Sequence, residues 1–181
     1  MSTRVSKIFM ITIIAVSSGL FLVNANAKNK NYPLPEFTEQ SSESWINSPP
    51  LKVDDLKGKV VLVDIWTYGC WNCYRSIPWL NSLETKFGKD EFIIIGIHTP
   101  EFDHETEREK VVKKCEEFMV THPVMMDNDF AYWKALRNRY WPTFYVVDKN
   151  GVVKDVFIGE THQGDKRAKK VEKLISKLIA Q

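Results

Sequence analysis

Val60-Val61-Leu62-Val63-Asp64-Ile65-Trp66-Thr67-Tyr68-Gly69-Cys70-Trp71-Asn72-Cys73 is the stretch that decides how this chain is read. Residues 60–66 are apolar apart from Asp64, which suits a strand covered on both faces. A helical pattern follows from Cys73 to Phe87, with Ile77, Leu80, Leu83 and Phe87 as its buried stripe and Pro78 predicting a kink. The two cysteines therefore fall where a strand hands over to a helix. The free N–H groups and positive dipole end of a helix favour a thiolate over a thiol, so Cys70 reads as a nucleophile. A spacing of three sets Cys73 one turn behind it, close enough to close and reopen a disulfide. That pattern points to dithiol–disulfide exchange. The competing reading, half of a zinc site, lacks a second pair of thiolates or a His-x-His nearby. A copper carrier, with His98 or another histidine as third ligand, is the remaining metal alternative.

Working outward, Phe92–His98 is a second continuous apolar run, and the strand–helix–strand order implies a crossover connection. Helical patterns follow at about Glu105–Val120 and from a cap at Asp127 or Asn128 to Asn138, with a short strand, Pro123–Met126, between them. Thr143–Asp148 and Val152–Ile158 read as strands joined through Asn150-Gly151, a hairpin signal. The last helix, about Asp165 to Ala180, buries Val171, Leu174, Ile175 and Leu178; its lysines form a solvated face. Upstream, Leu51–Lys59 is expected to be a short strand and a turn ending at Gly58. The chain thus reads as an α/β domain, a mixed central β-sheet with helices on both faces.

The 181 residues are 44% hydrophobic and 12% aromatic, enough for one domain with a substantial core. A net charge of +2 gives no basis for a nucleic-acid partner. Arg4 and Lys7 precede an uncharged run from Ile8 to Val23 and then Ala25-Asn26-Ala27, the layout of a secretory signal spanning residues 1–27. An uncleaved membrane anchor is the alternative, and either places the domain outside the cytosol. No cysteine sits near the cleavage site, so lipid attachment is not expected there. Residues 28–44 read as an irregular lead-in with prolines at 33 and 35, and the domain proper is taken as 45–181. The third cysteine, Cys115, lies at core spacing with Val111, Phe118 and Met119, so it reads as a small buried residue, with a resolving thiol as the functional alternative.

These residues resemble the thioredoxin superfamily. Leu62-Val63-Asp64-Ile65-Trp66, Cys70-x-x-Cys73 and Pro78 are similar to thioredoxin's active-site segment. Trp45-Ile46-Asn47-Ser48-Pro49-Pro50-Leu51, Leu56-Lys57-Gly58-Lys59-Val60-Val61, Asn72-Cys73-Tyr74-Arg75, Ile95-Gly96-Ile97-His98-Thr99-Pro100-Glu101-Phe102 and Tyr140-Trp141-Pro142-Thr143 resemble the extracytoplasmic TlpA/ResA-like thiol-disulfide oxidoreductases. Within that group the likeness is to the thioredoxin-like domain of DipZ-type proteins, from about Trp45 onward. The resemblance implies a thioredoxin fold, a redox-active Cys70–Cys73 pair and no cofactor. It also implies a periplasmic setting, protein disulfides as substrates, apocytochromes c or other secreted thiol proteins among them, and a membrane-bound electron donor. Members usually act as reductants. A thioredoxin-fold binding module without redox turnover is the rival class.

The resemblance also distributes roles. Cys70 is the attacking thiolate and Cys73 resolves the mixed disulfide. Asp64 aligns with thioredoxin's buried acid and is expected to move a proton to or from Cys73 through a water; the alternative is a carboxylate at a wet sheet edge. Thioredoxin pairs that acid with a lysine in the next core strand, and residues 92–98 contain none. Pro142 is expected to be cis against the dithiol, leaving the backbone before it free to pair with a substrate strand, with Trp141 and Thr143 as further substrate-binding residues, rather than a trans proline opening an edge strand. Gly159 is expected to let a peptide approach closely. Trp66, Tyr68 and Trp71 form the apolar rim of the site, unless Trp66 is core. His98 reads as a strand-end loop residue, with approach to the dithiol as its alternative.

Overall fold

The computed structural model describes residues 31–181, so the expected signal or anchor at residues 1–27 lies outside them. Seven strands form one mixed sheet in the order β1-β7-β6-β3-β4-β5-β2. They are β1 (Tyr32–Pro33), β2 (Trp45–Ile46), β3 (Val60–Trp66), β4 (Phe92–His98), β5 (Val124–Met126), β6 (Thr143–Val147) and β7 (Val152–Ile158). The helices are α1 (Trp71–Phe87), α2 (Arg108–Glu117), α3 (Ala131–Ala135) and α4 (Lys166–Ile179). β3 is central, parallel to β4 and antiparallel to β6, and every residue of it is buried. That double coverage is why its sequence runs apolar without alternation. Among the described residues no helix is long and apolar enough to cross a membrane.

The alternation along β3 sorts the core into two faces. Val61, Val63 and Ile65 point with Ile95, Ile97 and Tyr145 toward Tyr132 and Leu136 at α3. Val60 and Leu62 point with Ile94 and Phe144 toward Trp79, Leu80 and Leu83 of α1 and Val171 and Ile175 of α4. Farther along this second face, Trp66 packs with Cys70, Cys73 and Ile77 of α1 and with Val111 and Cys115 of α2. Cys115 is thus a core residue, and burial pushes its thiol up to about 12.

Several boundaries differ from the sequence expectation for local reasons. Residues 51–59 hold no strand: Val53 and Leu56, both buried, bracket a 3₁₀ turn, and the Asp55 carboxylate accepts the Lys52 amide at 2.8 Å to start it. The expected helix at 105–120 is divided into a 3₁₀ turn, Asp103–Thr106, and α2, because Glu105 turns its carboxylate inward to the amides of Glu101 and Phe102. α3 is only one turn long. Asp127 does cap it, accepting from the Tyr132 and Trp133 amides at 2.8 and 2.9 Å, but Arg137 adopts a left-handed φ of 53° and the helix goes no further. α1 continues through Pro78 to Phe87. The lead-in contributes more than irregular chain: β1 pairs with β7, and Leu34 and Phe37 enter the core beside Trp45 and Tyr132.

Candidate active site

Cys70 and Cys73 are joined by a disulfide with their Cα atoms 5.2 Å apart. Cys70 is the N-cap of α1, in extended conformation, and its sulfur accepts the Cys73 amide at 3.1 Å. No acidic residue lies in the first turn of the helix, so nothing there opposes a negative charge on that sulfur. Cys70 is 8% exposed and Cys73 2%, so an incoming molecule meets Cys70 first. The strand-to-helix junction foreseen from the sequence is thus present, with α1 beginning two residues earlier than its apolar stripe indicated.

Asp64 sits in the middle of β3, opposite Gly96 on β4 and Phe144 on β6, far from any sheet edge. It is 3% exposed, its Oδ1 has no hydrogen-bond partner, and desolvation raises its carboxyl to about 8. An acid so placed is neutral at ordinary pH and can exchange a proton near neutrality. Trp66, two residues on and on the same face, is core rather than rim: its indole packs against Gly96, where a Cβ would come within 3.0 Å of Nε1. Of the other two residues expected at the rim, Trp71 is 66% exposed with its ring tilted against Tyr74 at 5.4 Å, and the Tyr68 hydroxyl donates to the His104 carbonyl.

The Trp141–Pro142 peptide is cis. The Pro142 carbonyl accepts the Gly159 amide at 2.8 Å, tying the start of β6 to the end of β7. The Trp141 indole packs at 4.2 Å on Trp133 and donates to the Thr99 carbonyl at 3.0 Å, and its ring lies against the cysteine-containing cluster. The Thr143 side chain is buried, its hydroxyl donates to the Tyr140 carbonyl, and it stands between Ile65 of β3 and Ile158 of β7 in the sheet. Gly159 has a φ of 97°, which itself calls for glycine. Ser76 links this region to α1, donating to the Asn72 carbonyl and accepting the Thr161 amide.

His98 is not a loop residue. It is fully buried at the end of β4, edge-on to Trp66 and stacked on Tyr68, with Nε2 3.2 Å from the Thr67 hydroxyl. Desolvation lowers its imidazole to about 4, so it is neutral at physiological pH. Beside it lie two residues that the sequence did not single out, Thr67 and Glu105. Both are wholly buried, and the Thr67 hydroxyl donates to Glu105 Oε2 at 2.8 Å. No local pattern announces Glu105, which reads as one more charge in an acidic stretch; only the tertiary fold turns it inward. Among the described residues no three His, Cys, Asp or Glu side chains converge as a metal site.

A mixed sheet with helices on both faces, a Cys-x-x-Cys pair capping the helix after the central strand and a cis-proline opening β6 define a thioredoxin-like protein with a dithiol–disulfide centre. The chain belongs to the Redoxin family, whose profile matches residues 29–175. It is 38% identical over 119 residues to the protein DipZ of Mycobacterium tuberculosis, covering 64% of this chain and 17% of DipZ, so it spans about a sixth of that relative's length. It is 26% identical over 149 residues to the thiol-disulfide oxidoreductase YkuV of Bacillus subtilis, covering 82% of this chain and 95% of that one. Among solved structures, a thioredoxin-like protein in its oxidised form superposes with a TM-score of 0.71 at 26% identity, over 84% of this chain and 97% of the other. The resemblance to DipZ-type proteins seen in the sequence is therefore present across most of the domain.

Proposed function

We propose that this protein is an extracytoplasmic thiol–disulfide oxidoreductase that reduces disulfides in protein substrates. The observation that carries the reading is the arrangement of the two sulfurs: Cys70 at a helix mouth with slight exposure, Cys73 bonded to it and more deeply buried. In the reduced protein the Cys70 thiolate attacks a substrate disulfide, forms a mixed disulfide and releases one substrate thiolate. Cys73 then attacks the Cys70 sulfur, the second substrate thiolate leaves, and the protein is left as the Cys70–Cys73 disulfide. Two electrons pass to the substrate, and a membrane-bound dithiol donor restores them. Near neutrality the ionised fraction of Asp64 takes the Cys73 proton through a water as that sulfur attacks, and the acid returns it when the protein is reduced again.

Substrate strands pair with the backbone before Pro142, at Trp141, with Thr143 and Gly159 close by and Trp71 flanking Cys70. YkuV, similar over nearly its whole length, carries thiol-disulfide oxidoreductase in its name and supports the activity. The basic, apolar and small-residue order of residues 1–27 supports export, most simply to a periplasm. Apocytochromes c and other secreted thiol proteins fit the substrate class. Replacing Cys73 with Ser tests the reading: the variant is expected to hold substrates as mixed disulfides on Cys70. Failure to trap any, together with no reversible two-electron potential, would show a binding module instead.

A further inference from the structure

The buried residue that this mechanism leaves unused is Glu105. Its Oε2 receives three donors, the Thr67 hydroxyl at 2.8 Å and the amides of Glu101 at 2.6 Å and Phe102 at 3.2 Å. Its Oε1 is buried and has no hydrogen-bond partner. That oxygen faces the active-site loop: a Cβ added to Gly69 would lie 1.9 Å from it. Standard bond lengths then put Oε1 within about 3.5 Å of the Gly69 Cα and within about 7 Å of the Cys70 Cα. Glycine at 69 is what admits the carboxylate, since any side chain would displace it. His98, the other buried titratable group here, is neutral at physiological pH and offers no positive counter-charge. A carboxylate held by three donors on one oxygen and left bare on the other, directly behind the residue that precedes Cys70, is an electrostatic arrangement beyond what anchoring a loop requires.

We propose that Glu105 is a positioning residue that sets the reactivity of Cys70: its carboxylate, fixed against Gly69, disfavours the Cys70 thiolate and so biases the pair toward the disulfide, which makes the reduced protein a stronger electron donor. The sense follows from thiol–disulfide equilibria, in which stabilising the reduced form makes an oxidant and destabilising it makes a reductant. The Cys70 sulfur lies at most about 10 Å from that oxygen, and at an effective dielectric of about 20 a unit charge at that distance changes an ionisation by on the order of tenfold. The same factor in the dithiol–disulfide equilibrium corresponds to about 30 mV. The inference rests on Cys70 being the attacking sulfur.

The test is Glu105→Gln, which keeps an acceptor for Thr67 and removes the charge. Alkylation of the reduced variant by iodoacetamide at neutral pH is expected to be about tenfold faster, and its potential against glutathione less negative by up to about 30 mV. An unchanged rate and potential in a cooperatively folding variant would overturn the proposal and leave Glu105 as a loop anchor. Thr67→Val supplies a control, removing the hydroxyl while leaving the charge; an equal shift there would assign the effect to the hydrogen bonds and also overturn it. Should Glu105→Gln not fold, Glu105→Asp keeps the charge and withdraws from Gly69, and wild-type rate and potential are expected; a tenfold change there would show that contact, not charge, acts. Mass spectrometry of the alkylated site separates the two proposals. Label on Cys73 would refute the assignment of the attacking sulfur, whereas label on Cys70 at an unchanged rate would refute only the role of Glu105.

Discussion

Replacing Asp64 with Asn should make the protein more stable, and by an amount that depends on pH in a defined way. Burial raises the Asp64 carboxyl from 3.8 to about 8 in the folded chain. Between those values the folded state holds a proton that the unfolded state has released, so unfolding becomes easier as pH rises, by about 1.4 kcal/mol per pH unit. The wild type therefore loses about 4 kcal/mol from this group between pH 4 and pH 7, and the loss levels off near 5 kcal/mol above pH 8. Asparagine cannot ionise and carries no such slope. Urea unfolding of the two oxidised proteins from pH 4 to pH 9 reads the difference directly. Groups that titrate alike in both, including His98 and His122, each lowered to about 4, cancel in the subtraction. The expected curve starts near zero at pH 4 and climbs to a plateau above pH 8. A difference that stays flat across this range would mean that Asp64 ionises as an ordinary surface acid, and its proposed role as a proton carrier for Cys73 would fall with it.

Three further outcomes follow from the site. Cys115 is buried with its thiol pushed up to about 12, so iodoacetamide should label Cys70 readily in the reduced native protein and reach Cys115 only in denaturant. Trp71→Ala removes a ring that is 66% exposed and should change stability by less than about 0.5 kcal/mol, yet lower kcat/KM for protein disulfides more than for a small disulfide, as paired insulin-type and dithiobis-nitrobenzoate assays would show. Gly69→Ala forces a methyl to 1.9 Å from Glu105 Oε1 and should lower stability by about 1–3 kcal/mol, measured by thermal unfolding; a neutral effect would mean that the loop yields freely.

What could be read before folding was the part written in local pattern. The apolar run of residues 60–66, the cysteine spacing and the Asn150-Gly151 turn each carry their own signal, and β3, α1 and the β6–β7 hairpin stand where these place them. The cis bond at Pro142 came from the resemblance, because nothing in Tyr140-Trp141-Pro142-Thr143 by itself fixes the isomer. The inward turn of Glu105, the burial of His98 and the core position of Trp66 depend on elements distant in the chain, and a charged or aromatic residue gives no local sign of which way it will face. Gly96 illustrates the point: its lack of a side chain makes room for the Trp66 indole and Val124, a reason visible only once the strands are side by side.

Between β1 and β2 the polypeptide passes from one outermost strand of the sheet to the other, since β1 borders β7 and β2 borders β5. Six strand spacings of about 4.8 Å make a crossing of about 29 Å. The twelve steps from Pro33 to Trp45 reach about 40 Å at full stretch, so the segment works as a strap with about 10 Å to spare, fastened near its start by the Tyr132 hydroxyl to the Pro35 carbonyl. One belt thereby adds a two-residue strand to each margin of the sheet, shortening the backbone that would otherwise be open to a neighbouring molecule. A fragment beginning at Trp45 would lose Leu34 and Phe37 from the core and the β1–β7 pairing, and is expected to be less stable than one beginning at Tyr32, as urea unfolding of the two would show.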